Sequence, residues 1–407
     1  MLFLKQQTTI TRTFRKSWPL LLLFILSNLW VGLQAIPSFA LSIDVNSTLQ
    51  QFVLGWGLIG FLVLALLLIN SSLRIRWTIY TLVISGLFQA TYGSLMTLSG
   101  IESSFLLPKD TYLGVATGTF INRNHLAGYL VICLSMGLGM MIALLNLTPS
   151  GNWRNRLRRW ITALLSQKIL LRLALVMMVI GLVLTHSRMG NTSFFAAMMI
   201  TGVLALLLSK HASRSTLILL SSLIIIDIFI VGTFFGIEKV VDRLENTSSQ
   251  RETRDEVDHY SLTLMSNNLL LGSGSGTFYT AFPEYREADI RLFYDHAHND
   301  YLEFLTERGL IGFIPLLLAI ILSFLVALKA QWTRRNPLMR GLSFGCLMSM
   351  IAMGMHATVD FNLQIPANAA SFMLVLALGW ISFYHQPVPK KLVPTTHYDK
   401  DSQAAHF

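Results

Sequence analysis

Charged residues are scarce in this chain, and their scarcity limits the class of protein it can be. Only 13% of the 407 residues are charged, whereas 53% are hydrophobic. A soluble domain carries about 25% charged residues, so this composition excludes an ordinary water-soluble fold. Because about 20 apolar residues in a helix cross the hydrocarbon core, the long apolar runs predict an integral membrane protein.

Cysteine is nearly absent as well. The chain has two, Cys133 and Cys346, and both fall inside apolar runs. Structural disulfides in membrane proteins lie in segments exposed to an oxidising compartment. The sequence therefore predicts no structural disulfide.

Ten apolar runs are long enough to be membrane-spanning helices. The predicted fold class is all-α, a polytopic membrane bundle of about 10–12 helices with a large helical loop on one side. The first run follows basic residues and precedes small ones, so a cleaved signal peptide is the alternative to an uncleaved first helix. The runs are 18–36, 52–70, 77–99, 125–146, 169–185, 192–209, 215–236, 310–328, 341–358 and 368–384.

Acids are missing from one side of the membrane, and this predicts the orientation. Cytoplasmic loops retain Lys and Arg, and placing the N-terminus inside makes every second loop basic. Of the 21 acids, only Asp399 and Asp401 then lie inside, while 14 lie in one outside loop. The net charge of +10 thus reflects topology, and nucleic-acid binding is not predicted. The expected parts are membrane helices 1–236, a periplasmic catalytic loop 237–309, membrane helices 310–385 and a cytoplasmic tail 386–407.

One polar cluster, "THSRMGN" at 185–191, separates two apolar runs by barely a turn. Polar groups at membrane depth are costly and usually mark a functional site. Arg188 is therefore expected to face protein or a water-filled cavity. It is either an arginine snorkelling to the interface or an anion clamp, since its planar fork of donors suits phosphate.

Two further outside segments offer anion-binding groups. "TGTFINRNHLAGYL" sets Asn122 and Arg123 before a helix, whose free backbone N–H groups attract anions; Asn124 is equally well explained as the helix cap. In the long loop, the apolar spacing of "RETRDEVDHYSLTLMSNN" predicts a helix that carries Arg251 and Arg254. The loop is acidic overall, so particular arginines such as these two are needed to hold a phosphate there.

The densest cluster is "FYDHAHNDYLEFLTERGLIGF". Its second part is predicted to be helical from about residue 298, with His298, Leu302 and Leu305 on one face. Histidine takes a proton readily near neutral pH, so His298 is a candidate general base; a hydrogen-bonded structural histidine and a loose H-x-H-x-D metal site are the alternatives. In "HATVDFNLQIPANAA", Asp360 either orients a catalytic group or caps the next turn.

In order along the chain, "TGTFINRNHLAGYL", "SRMGN", the arginine helix before "GSGSGTF", "HAHNDYLEFLTERGLIGF" and "DFNLQIPANA" resemble the O-antigen ligase and O-antigen polymerase superfamily of bacterial inner-membrane glycosyltransferases. The resemblance implies a membrane bundle of the GT-C-like, lipid-dependent glycosyltransferase type. It also implies a donor glycan on undecaprenyl diphosphate, an active site facing the periplasm, and inverting transfer without a metal or other cofactor.

Carried over by motif, the resemblance implies that His298, Arg188 and Arg254 are catalytic. A base takes the proton of the acceptor hydroxyl while arginines stabilise the leaving diphosphate. Residues expected to bind substrate or to support these groups are Asn122, Arg123, Arg251, His296, Asn299 and Asp360.

The functional hypotheses differ in the acceptor of the glycan. Lipopolysaccharide biosynthesis by transfer to lipid A-core is the first expectation, and the alternatives are a growing glycan (a polymerase) or a protein hydroxyl (an oligosaccharyltransferase). Membrane lipids are the expected surroundings. The rival from another class is a transporter or flippase of lipid-linked glycan, which predicts polar residues spread through the spans and inverted repeats; here the spans are mostly apolar.

Overall fold

The structure is a computed structural model that describes residues 12–104, 107–145, 167–208, 248–286 and 294–386. It is helical apart from a two-residue antiparallel pair in which Ser103 faces Pro108. The helices are α1 Arg12–Lys16, α2 Trp18–Gln34, α3 Val45–Leu68, α4 Ser72–Ser99, α5 Arg123–Leu145, α6 Gln167–Leu184, α7 Arg188–Leu208, α8 Ser248–Asn267, α9 Phe278–Ala281, α10 Asp300–Thr333, α11 Pro337–His356 and α12 Pro366–Tyr384.

The predicted polytopic bundle is confirmed. In the described part of the chain, seven helices are long and apolar enough to cross a membrane: α3, α5, α6, α7, α10, α11 and α12. Helix α2 is apolar but has only 17 residues, and α4 is longer but less apolar. The predicted span 215–236 lies outside the described residues.

Two element boundaries differ from the predicted ones for local reasons. Helix α3 begins at Val45 because the Asp44 side chain accepts hydrogen bonds from the backbone N–H groups of Asn46 and Ser47, an N-cap that precedes the apolar run. Helix α10 runs from the outside loop into the membrane and is broken at Gly309, whose φ of 61° and ψ of −179° are not helical.

Helix α5 lies at the centre of the bundle, with its whole apolar window buried. It packs against α11 through glycine, since a Cβ on Gly139 would lie 2.3 Å from the carbonyl oxygen of Gly341. Small residues let membrane helices approach closely, and van der Waals packing then stabilises the pair. The histidines of this pair, His125 and His356, lie at its outer end.

Glycines also join the outside loop to the kink in α10. A Cβ on Gly272 would lie 2.2 Å from the carbonyl oxygen of Glu307, and one on Gly309 would lie 2.4 Å from that of Leu270. Both have positive φ, which only glycine adopts readily. These close contacts hold the glycine turn of "GSGSGTF" against the kink of α10.

Candidate functional site

The histidine motif lies in a loop that ends at the start of α10. Asn299 caps the helix by accepting from the backbone N–H of Leu302 at 3.2 Å, as its short polar side chain favours. His298 therefore precedes the helix, in a left-handed conformation with φ of 51°, and the expectation that it starts the helical face is wrong. Such a conformation is uncommon outside glycine and costs energy, so the surrounding contacts must hold His298 in place.

Three imidazoles converge on the carboxylate of Asp360. Oδ1 lies 3.6 Å from Nδ1 of His298 and 3.9 Å from Nε2 of His125, and Oδ2 lies 3.8 Å from Nε2 of His356. These distances exceed those of hydrogen bonds but permit strong charge attraction in a buried site. Asp360 also accepts from the backbone N–H of Phe361 at 2.9 Å.

The four groups differ in their access to solvent. The Asp360 side chain is 1% exposed and that of His298 is 21% exposed. Nδ1 of His298 faces the carboxylate, so its other nitrogen, Nε2, is the one left for a substrate. Of the two roles predicted for Asp360, orientation of a catalytic group fits this geometry better than capping.

Opposing effects act on the acidity of Asp360. Burial raises the pKa of its carboxyl, but attraction to His298, His356 and His125 outweighs burial and lowers the pKa below its ordinary value. This attraction operates only while an imidazole is protonated. The carboxylate is thus suited to stabilise a positive charge that appears on one of its histidines.

The ring of Phe361 forms the centre of the same cluster. It stacks on His296 at 4.0 Å between centroids and meets His298 and His125 edge-on at 5.0 and 4.6 Å. Offset and edge-to-face contacts are the favoured arrangements of such rings. Phe361 therefore fixes the planes of three imidazoles from two parts of the sequence.

Residues at the start of α10 support the loop that carries His298. Glu303 accepts from Nδ1 of His296 at 2.6 Å and from the backbone N–H of Ala297 at 3.0 Å. The backbone N–H of Asp300 donates to the carbonyl oxygens of Ala357 and Asp360 at 2.9 and 3.2 Å. The Asp300 carboxylate also accepts from the backbone N–H of Leu363 at 3.0 Å, so Glu303 and Asp300 have structural partners and Asp300 ties the His298 loop to the segment that carries Asp360.

The Glu303 contact also changes the acidity of His296. Burial acts to lower the pKa of this imidazole, but the hydrogen bond and charge of Glu303 outweigh burial and raise it. A protonated His296 beside Glu303 forms a charge-assisted pair. It holds the loop two residues before His298.

The predicted anion-binding residues lie at helix starts. Asn122 accepts from the backbone N–H of Asn124 at 2.8 Å, so Asn122 rather than Asn124 provides the cap of α5. The guanidinium of Arg123 lies over the ring of Tyr112, 5.9 Å from its centroid. Arg188 is exposed at the first position of α7.

The arginine helix of the outside loop is confirmed as α8. It includes Arg251 and Arg254, whose side chains lie outside the described part of the structure. Their contacts with phosphate, and the approach of Arg254 to His298, stay predictions.

Sequence reasoning did not include His125 and His356 in the site. His125 follows the cap of α5, and His356 ends α11 four residues before Asp360. A histidine at each outer helix end was the available signal. Asn368 adds support, because its Nδ2 donates to the carbonyl oxygen of His125 and to Oδ1 of Asn362, both at 3.0 Å. Within the described ranges, no group of three or more His, Cys, Asp and Glu residues has a metal-binding arrangement.

Comparison with known families agrees with the sequence resemblance. A family model described as O-antigen ligase matches residues 173–317, just over a third of the chain. The matched segment runs from α6 through His298 and the kink of α10, and it leaves out His125 and Asp360. The match supports the resemblance to the O-antigen ligase and O-antigen polymerase superfamily. No curated protein matches the chain.

Proposed function

We propose that this multi-pass membrane protein transfers a glycan from undecaprenyl diphosphate to an acceptor hydroxyl on the periplasmic side of the bacterial inner membrane, with lipid A-core as the acceptor. The O-antigen ligase match supports a ligase or polymerase type of function in general. The observation that carries the proposal is the partly exposed imidazole of His298 beside the buried carboxylate of Asp360.

In the proposed reaction, Nε2 of His298 takes the proton of the acceptor hydroxyl as its oxygen attacks the anomeric carbon of the donor sugar. The new glycosidic bond forms while the bond from that carbon to the phosphate oxygen breaks, and the electron pair leaves with the diphosphate. A single displacement inverts the anomeric centre. Asp360 stabilises the imidazolium that results, as a carboxylate does in a Ser-His-Asp triad.

The leaving diphosphate needs positive charge where negative charge develops. Arg188 and Arg254 are the residues we propose for this role, because a guanidinium stays charged at any relevant pH and binds phosphate in a bidentate manner. Arg188 begins a helix, and Arg254 lies on α8. Asn122, Arg123 and Arg251 are the further candidates for contacts with the donor.

A transfer assay tests this proposal. Purified protein in nanodiscs receives undecaprenyl diphosphate-linked glycan and lipid A-core, with EDTA present, and product is measured for the native chain and for His298→Ala, Arg188→Ala and Arg254→Ala. We expect attached glycan from the native protein, and a loss of rate of about 10²–10⁴-fold in His298→Ala, the usual contribution of a general base.

Other outcomes of the assay would contradict the proposal or support another function. Elongated glycan without attachment to lipid A-core would identify a polymerase. Full transfer by a correctly folded His298→Ala protein would refute the proposed base. Lipid translocation without any transfer would support a flippase.

A further inference from the structure

A buried arginine, apart from the proposed catalytic groups, needs an explanation. Arg308 precedes the kink of α10, and its Nη1 donates to Oγ of Ser27 at 3.4 Å. Ser27 lies seven residues before Gln34, the end of α2, so the guanidinium is about 10 Å below the outer end of that helix. A charged side chain at such depth is costly, and it usually marks a functional site.

Arg308 is attracted by the charge of the neighbouring Glu307, but the two side chains form no ion pair. Its guanidinium lies 5.2 Å from the ring centroid of Phe304. The neighbouring acid, Glu307, accepts from the backbone N–H of Phe278 at 3.0 Å. Among the residues that the structure describes, no carboxylate forms an ion pair with Arg308, and its Nε is buried without a hydrogen-bond partner.

Arg308 faces a groove formed by α2, α3, α10 and α12. The walls are mainly apolar, with Leu58, Leu317 and Phe372 among the lining residues. Gln364 lines the same groove, and its Nε2 is a second buried donor without a partner. A groove with apolar walls and two unpaired donors suits an anionic head group joined to a hydrocarbon chain.

The groove also reaches the histidine site. Its lining includes Asp300 and Ala357, and the backbone N–H of Asp300 donates to the carbonyl oxygens of Ala357 and Asp360. Gln364 follows Asp360 by four residues, within the same connection between α11 and α12. The groove therefore extends from Arg308 to residues that border the cluster containing His298.

We infer that Arg308 and Gln364 form a phosphate-binding subsite for a lipid whose chain occupies this groove, and that this lipid is the polyprenyl diphosphate donor. The identity of the lipid rests on the proposed function. The phosphate subsite itself rests on the buried donors and the groove.

Binding measurements without an acceptor test the inference apart from transfer. The full chain, purified in detergent, is titrated with undecaprenyl diphosphate, with undecaprenol and with phosphatidylglycerol, and bound lipid is counted by native mass spectrometry. We expect Arg308→Gln to weaken undecaprenyl diphosphate binding by roughly tenfold or more, because a charge-assisted hydrogen bond is lost, and to leave undecaprenol binding unchanged. Gln364→Ala is expected to weaken diphosphate binding less, and Arg308→Lys to retain part of the affinity.

The matched control is Arg335→Gln, the same change at an exposed arginine beyond the other end of α10, and it is expected to bind like the native protein. Equal weakening of undecaprenol would mean that Arg308 only shapes the groove, and unchanged diphosphate binding in both Arg308→Gln and Gln364→Ala would overturn the subsite. Phosphatidylglycerol bound as tightly as the diphosphate lipid would overturn the donor assignment.

Two results separate this inference from the proposed function. His298→Ala is expected to bind the diphosphate lipid normally while transfer is lost. If no protein transfers glycan but Arg308→Gln still weakens diphosphate binding, the proposed function fails and the phosphate subsite stands. If transfer proceeds and both groove variants bind normally, only the inference fails.

Discussion

The two ends of the α5 and α11 pair differ in the residues they bring together. Towards the middle, Gly139, Gly341 and Gly345 bring the backbones together, and a Cβ on Gly345 would lie 2.8 Å from the carbonyl oxygen of Ser135. At the outer end, His125 and His356 instead flank the carboxylate of Asp360. Close backbone packing thus holds one end together, and the other end positions imidazoles beside a carboxylate.

The largest expected effect comes from Asp360→Asn at the polar end. A neutral amide has no charge to stabilise an imidazolium and does not select the histidine tautomer, a loss that reaches about 10⁴-fold in a triad. We expect kcat for glycan transfer to fall by roughly a hundredfold or more, with KM nearly unchanged, because Asp360 acts through His298.

Two measurements distinguish this positioning role from a structural one. Asp360→Glu restores a charge and is expected to recover part of kcat, and the pH profile of kcat should shift in Asp360→Asn. A large fall in thermal stability with normal kcat for the folded fraction would show that Asp360 serves only the fold.

At the packed end, Gly341→Ala should change stability instead. The new methyl group would lie 2.2 Å from the carbonyl oxygen of Gly139, so α5 and α11 must separate. Overpacking of this kind costs about 1–3 kcal/mol in the free energy of unfolding, measured here by thermal unfolding in nanodiscs. The control is Gly57→Ala, since a Cβ on Gly57 meets nothing within 4 Å; alanine also favours the helix there.

The two ends have distinct roles if the variants at each end change different properties. Gly341→Ala protein that remains folded should retain its transfer rate. A fall in rate as large as that of Asp360→Asn would mean that packing in the middle of the bundle sets the geometry of the histidines, and the distinction between the two ends would fail.

The sequence predicted the helices well, but it did not predict which histidines meet at Asp360. The run 368–384 corresponds to Pro366–Tyr384, because hydropathy and a helix-starting proline are local signals. The meeting of His125, His298 and His356 on Asp360 depends on how α5, α10 and α11 pack, which no local pattern records. The left-handed conformation of His298 likewise depends on contacts that only the folded chain makes.

The smallest expected effect belongs to His296, which anchors the polar end without entering the reaction. The ordinary pKa of the imidazole is 6.5, and the folded value is higher because Glu303 outweighs burial. The folded protein therefore holds this proton more tightly than the unfolded chain does. The resulting stability is fully present below pH 6.5 and is lost as pH rises through the raised folded pKa.

We expect His296→Gln to lower the unfolding temperature more at pH 5.5 than at pH 8.5. The same change at the exposed His259 is the control and should have only a small effect on the unfolding temperature. A pH-independent difference for His296→Gln would show that stacking on Phe361, rather than charge, holds this loop.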